Sequence, residues 1–379
     1  MTRSEYAARL AAVAVALASL GRPTVAQNGT TTASYAQMDR ESVEYRGPGR
    51  ATSADILGPT LTIGILLPAQ GPRADEGQLL RRAAQKAVDD ENLLGPARDG
   101  RSFALAVRNE SGSWGQSTSE MLRLVTDDHA LALITGTDGN VAHQAEQIAN
   151  KLGFPVVTLA SDTTTTQIGI PWIFRMVPSD RQQADAMADA IYSAERDPSV
   201  LLITSANHDG REGKREFERA ARERGARSPS GLEIDGDIDD IRFRNEIRAN
   251  KPTVVVFWTD PPTFQRMQRA AVESGSVKAI CVSEKAFFVA PKILEQSTGG
   301  QLNVPTAGNT AGAEYLEQKI YETVRLVASA IREAGPNRAR VRDALAGSRR
   351  TSADDSSRLF DGAGNLMAPA KLALVGSRE

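Results

Sequence analysis

The chain has 379 residues, enough for two ordinary domains around a sizeable core. An apolar content of 41% with 24% charged residues excludes a disordered chain. A net charge of −2 gives no electrostatic reason to expect nucleic acid or an anionic membrane as partner.

The first 26 residues read as a signal peptide. "MTRSEYAAR" carries Arg3 and Arg9, and "LAAVAVALASL" (10–20) is apolar but too short to span a bilayer. "TVA" (24–26) offers a small-residue cleavage site, with an uncleaved signal anchor as the alternative. No cysteine follows that would carry a lipid anchor. Residues 27–59 lack periodicity, are rich in Thr, Ser and Gly, and are expected to be a disordered linker.

From residue 60 apolar strands alternate with amphipathic helices. "LTIGILLP" (61–68) is a buried strand, and the helix after it places Leu79, Ala83, Ala87 and Val88 on one face. "SFALAVRN", "ALALITG" and "PVVTLAS" are further strands, separated by the helices "STSEMLRLVTDD" and "VAHQAEQIANKLG". After "WIFRMVPSD" (172–180) a second series begins, with strands at 199–204, 232–235 and 253–258 and in "VKAICV". A long helix carries Leu316, Ile320, Val324 and Val327 on one stripe, and "DGAGN" is a turn between two apolar arms. The pattern predicts an α/β chain of two doubly wound parallel sheets.

Enzyme motifs are missing from the sequence: it has no P-loop, GxSxG, HExxH or CxxC. The single Cys281 allows no intramolecular disulfide and reads as a buried, inert thiol. His129, His143 and His208 lie far apart with no metal-ligand spacing, and His143 is expected to face solvent. Neither a cofactor nor a metal is expected. What remains are loops at strand carboxyl ends, where open α/β sheets hold their ligands: "PAQGPRADEG", "TGTDGN", "ASDTTTT" and "VSEKAFF". Their small polar residues could hold a polar ligand group against a helix N-terminus. Alternatively Thr137, Asp138, Ser161 and Asp162 serve only as caps and turn formers.

These blocks resemble a family. "LTIGILLPAQGP…GQLLRRAAQKAVDDEN", "ITGTDGNVAHQAEQIANKLGFPVVTLASDTTT", "VPSDRQQADAMADAI" and "LFDGAGN" are similar, in order and spacing, to type 1 periplasmic solute-binding proteins, the branched-chain amino acid receptors of ABC importers. The resemblance runs from about 61 to 375. It implies two lobes joined by three crossovers, near 176–180, 300–308 and 347–358, that close on a solute by hinge motion. Lobe one would hold 60–178 and 300–347, and lobe two 179–299 and 348–379.

Carried over residue by residue, the family's ligand positions fall on Glu76, Thr137, Asp138, Gly139, Asn140, Ser161, Asp162 and Thr163 in the first lobe. In the second they fall on Asp209, Asp260 and Glu284. The family has Ser or Thr where Gly139 and Asp162 stand, and often aromatics at Glu76, Asp209 and Asp260. Glu284, the usual partner of an α-amino group, matches directly. The set is thus acidic, and converging carboxylates favour a cation over a carboxylate. The expected function is capture of a small polar solute (amino acid, amide or amine-like) outside the cytoplasm, with an ABC permease as partner. A sensor or interaction module with a degenerate pocket is the alternative.

Overall fold

The computed structural model describes residues 45, 47, 50, 59–110, 114–194, 197–235, 240–287, 301–306, 312–350, 357–368 and 370–375. The signal-peptide assignment lies outside them.

The first sheet begins with β1 (Thr60–Leu67), whose residues are buried almost throughout, as a strand covered on both faces must be. β2 (Ser102–Asn109), β3 (Ala132–Thr135), β4 (Val156–Thr158) and β5 (Ile173–Arg175) complete it in the order β2-β1-β3-β4-β5, all parallel. The connections are α1 (Ala74–Leu93), α2 (Trp114–Thr126), α3 (Gly139–Leu152) and the short α4 (Thr164–Gln167). On α1 the buried stripe is Leu80, Ala84, Ala87, Val88 and Glu91, while Leu79 and Ala83 pack at its flank. The expected face is therefore rotated by about one residue. α3 starts on Asp138, which accepts from the Val141 amide, and stops at left-handed Gly153.

The second sheet follows α5 (Asp180–Ala194). It contains β6 (Val200–Ser205), β7 (Ser230–Ile234), β8 (Val254–Trp258) and β9 (Ala279–Val282), linked by α6 (His208–Glu223), α7 (Asp240–Asn250) and α8 (Pro261–Glu273). After the short α9 (Glu284–Phe287) come β10 (Gln301–Thr306), the long α10 (Gly312–Ala334), α11 (Arg338–Ala346) and β11 (Lys371–Val375). The order is β11-β10-β9-β8-β6-β7, with only β11 antiparallel. Each sheet carries an apolar cluster on either face. Both sheets belong to one compact unit, Ser34–Glu379.

Three expectations need correction. β10 pairs in parallel with β9, so Gln301–Thr306 belongs to the second sheet and not to the first lobe. The crossover back comes after Thr306. The turn around 360–366 packs on the first lobe, because Asn365 bridges Arg175 and the Phe360 ring lies 5.1 Å from Phe174. The third crossover therefore falls between Leu366 and β11, and not at 347–358. Finally, part of the supposed linker is ordered. Tyr45 is buried against Trp172, its amide donates to Asp343 Oδ1 at 2.6 Å, and Arg50 pairs with the same carboxylate.

Other expectations stand. Leu316, Ile320, Val324 and Val327 are all buried, and Phe360 and Leu366 bridge across the "DGAGN" turn. Cys281 is buried, and burial pushes its thiol up to about 12. Among the described residues no helix is long and apolar enough to cross a membrane.

Phe360→Ala should cost about 3–5 kcal/mol, the loss for emptying a buried aromatic site. Urea unfolding checks it. A loss under about 1 kcal/mol would detach the 360–366 turn from the first lobe's core.

Candidate functional site

In each sheet the strand order reverses beside one strand. β1 has β2 on one side and β3 on the other, and β6 lies between β7 and β8. The chain leaves both switch points at strand carboxyl ends, which opens a crevice there. The loops after β1 and β3 and the segments after β6 and β9 meet across it.

The first group centres on Arg73, in the turn before α1. Its guanidinium lies 2.7 Å from Glu76, 2.7 Å from Glu110 and 3.1 Å from Asp138, and donates to Thr137 Oγ1 at 2.9 Å. Thr137 in turn donates to Glu76 Oε1 at 2.7 Å. Glu110 sits at the end of β2, where burial pushes its carboxyl up to about 8 despite Arg73. Burial works against the Arg73 charge, yet Glu76 and its neighbours raise that group above its ordinary value.

The second group joins the lobes. Asp162 is almost fully buried in the loop after β4. Its backbone oxygen accepts from Arg175, which also donates to Ala160 O, Thr165 and Asn365. One carboxylate oxygen accepts from the Thr164 amide at 2.9 Å and hydroxyl at 2.7 Å. The other lies 3.0 Å from His143 Nε2 and 2.6 Å from His208 Nε2. His143 belongs to α3 of the first lobe, and His208 opens α6 of the second. Burial opposes the Asp162 charge, but bonds from His143, His208 and Thr164 hold its carboxyl far below the usual range. Asp162 and then Glu146 raise His143 to about 10. Asp162 raises His208 as well.

Beside this pair the Gly139 amide, at the start of α3, donates to Asp209 Oδ1 of the second lobe at 3.2 Å. A Cβ at position 139 would stand 2.4 Å from that oxygen and 3.1 Å from Asp162, so only glycine admits the approach. The other Asp209 oxygen pairs with Lys285. Lys285 is largely shielded from water, which disfavours its charge, but Asp209 and then Asp138 raise it overall.

The expected residues therefore separate. Glu76, Thr137 and Asp138 gather around Arg73, whereas Gly139, Asp162 and Asp209 meet across the crevice. Ser161 O accepts from the Asp180 amide at 2.7 Å, and Thr163 Oγ1 from the Arg181 amide at 3.0 Å, so both line the first crossover. Asp260 caps α8 through the Thr263 amide at 2.8 Å and bonds Ser205. Asn140 is exposed. Glu284 is buried further in, its amide donating to Gln183 Oε1 at 3.0 Å. Burial pushes its carboxyl up to about 8, with Tyr315 and Lys319 of α10 lowering it and Asp180 raising it. Burial likewise lifts Asp180 to about 7.

The acidic-cleft expectation fails on charge. Glu76 shares Arg73 with Glu110 and Asp138, Asp162 faces His143 and His208, Asp209 pairs with Lys285, Asp260 is taken up by Ser205 and the Thr263 amide, and burial pushes the Glu284 carboxyl up to about 8. The expected acids are thus spread over separate partners and do not form one open cluster for a cation. His143 is also not the solvated residue that its polar helix suggests. Arg73, Glu110, His143, His208 and Lys285 escaped the sequence reading. Three of them had a visible signal, since Arg73, His208 and Lys285 lie within three residues of named acids.

A family model described as periplasmic binding protein matches residues 60–299. Leu/Ile/Val-binding protein homolog 3 of Brucella melitensis is 30% identical over 158 residues, 41% of this chain and 41% of that protein. Leu/Ile/Val-binding protein BraC3 of Rhizobium johnstonii is 25% identical over 205 residues, 54% of this chain and 56% of that one. The chain thus spans about half the length of the curated relatives it matches. Among solved structures, a leucine-binding protein LivK of Thermotoga maritima gives a TM-score of 0.70 at 19% identity, covering 84% of this chain and 97% of that one. A solute-binding protein of an ABC transporter of R. palustris, in complex with benzoate, gives 0.70 at 16% identity, covering 84% and 100%. At these identities the structural likeness is one of fold.

Two outcomes follow from the charges. Glu110, Asp180, Glu284 and His143 all hold their protons more tightly folded than unfolded. The folded chain therefore binds more protons than the unfolded one from about pH 4 to 8, and His143 extends this to about 10, so stability falls as pH rises across that window. Asp162 and Asp138 are shifted the other way, and what they contribute is lost in acid as their carboxylates protonate. Melting should be higher at about pH 5.5 than at about 8.5, with Glu284→Gln flattening the slope; a melting temperature that rises over this interval contradicts the assignment. Arg73→Ala should cost about 3–5 kcal/mol by stranding buried carboxylates, with Glu110→Gln restoring part of it in a double-mutant cycle.

Proposed function

Because the chain belongs to the periplasmic binding protein family, we propose that it captures a small polar solute outside the cytoplasm and delivers it to the membrane permease of an ABC importer. The solute would be of the amino-acid, amide or amine-like type. The observation that carries this reading is the bond from the Gly139 amide to Asp209, made between lobes at the carboxyl ends of both sheets. A helix N-terminal amide and the Lys285 ammonium converge there on one carboxylate, and that carboxylate belongs to the protein.

Asp209 thus acts as an internal stand-in for an anionic solute group. A solute carboxylate or amide oxygen would replace it on Gly139 and Lys285, and its polar remainder would meet the Asp162 and His208 side. Closure then follows from contacts that only the closed form makes, since a solute held equally by both forms shifts no population. The relatives named for Leu/Ile/Val binding and the benzoate complex both favour a solute bearing a carboxylate.

The compensated charges favour a second reading. With the acids already paired internally, the cleft could stay shut without solute, and the scaffold would serve as a sensor or interaction module.

A thermal-shift panel of amino acids, amides, amines and aromatic acids separates the two, run with chelator present. A true solute at a hundred times its Kd raises stability by about 2.7 kcal/mol. Asp209→Ala should tighten binding of carboxylate solutes by about tenfold, because a competing charged hydrogen bond is gone. No shift with any solute in either protein would leave the sensor reading.

A further inference from the structure

We propose that His143, Asp162 and His208 form a binding site for a zinc-class divalent metal ion that bridges the two lobes. Nε2 of His143, Nε2 of His208 and a carboxylate oxygen of Asp162 all lie within 4.8 Å of one another. The two histidine nitrogens are 3.0 Å and 2.6 Å from the same oxygen. Around tetrahedral zinc, ligand atoms sit about 3.3 Å apart, so the Asp162 oxygen must draw back slightly from both nitrogens and the nitrogens settle to that spacing from a separation within 4.8 Å. Two imidazoles and one carboxylate suit zinc and its transition-metal neighbours, while magnesium and calcium prefer all-oxygen shells.

The surroundings are built for this orientation. The Glu146 carboxylate, wholly buried, lies 3.1 Å from His143 Nδ1. With Nδ1–H donating to Glu146, as metal-binding histidines commonly donate to a carboxylate, Nε2 is the atom left for the ion, which would displace its proton and its contacts with Thr164 Oγ1 at 2.6 Å and Asp162 at 3.0 Å. Thr164 donates to the second Asp162 oxygen through amide and hydroxyl, leaving the first oxygen to face both imidazoles. The two rings meet edge to face with centroids 5.5 Å apart, so they converge on the carboxylate from different directions. Three protein ligands leave one position for water or for an oxygen of a bound solute.

The consequence lies in where the ligands come from. His143 and Asp162 belong to the first lobe and His208 to the second. The complete set exists only when the lobes are closed, so the ion would favour closure whether or not an organic solute is present. The inference is independent of the solute reading, and the two can fail separately.

The test uses the untagged full chain stripped with chelator, titrated calorimetrically with zinc chloride and, as control, magnesium chloride. One equivalent of zinc should bind and magnesium should give no heat. Cobalt(II) should show the intense visible bands of four-coordination. His208→Ala and His143→Ala should each abolish stoichiometric binding, while Glu146→Gln, which keeps all three ligands, should weaken it by about 10–100-fold. Zinc should compact the wild type in small-angle scattering and leave His208→Ala unchanged. The proposal is overturned if zinc does not bind, or if His208→Ala binds it as well as the wild type. It is also overturned if His208→Ala lowers the melting temperature of a wild type that shows no zinc response, for then the cluster is only a charge latch.

Discussion

A carboxylate shut away from water must be compensated by whatever the fold brings within reach, and Asp162 is where that constraint ties this molecule together. Its backbone is held by buried Arg175, which also reaches the Asn365 turn. Its side chain receives a histidine from each lobe. Strand β5, the loop after β4, the C-terminal turn and the first residue of α6 are thereby linked through a few side chains. An unpaired charge at this depth would cost several kcal/mol, so these parts are expected to move together.

The same constraint explains the neighbouring groups. Arg73 serves three carboxylates, from the first turn of α1, the end of β2 and the cap of α3, and Lys285 serves Asp209 across from Gly139. The crevice is polar, and bases are interleaved with its acids. Its specificity for a ligand would come from geometry, through the Gly139 amide, now bonded to Asp209, and the side chains around it, more than from a net field. Helix starts matter here because α3 and α6 both point their N-terminal ends at it.

Much of the fold was legible along the chain. β1, β2, β3 and β8 are apolar runs, and the stripe on α10 repeats at helical spacing, because burial on a regular element leaves a local period. Lobe membership was less legible. Gln301–Thr306 joins the second sheet by pairing with β9, and Phe360 joins the first core, yet neither segment carries a mark of its partner. Edge pairing is a non-local choice, and strands of similar composition fit either sheet.

For the site, the sequence by itself identified the loops at strand carboxyl ends and the acids within them, since topology and helix capping confine such residues to those positions. What only the tertiary structure decided is which acids are paired, and by what. Glu110 and Asp138 stand 37 and 65 residues from Arg73, and His208 lies in another lobe from Asp162. Charge compensation acts through space over a few ångströms and leaves no period along the chain, so a set that looked uniformly acidic in sequence folds into one interleaved with bases.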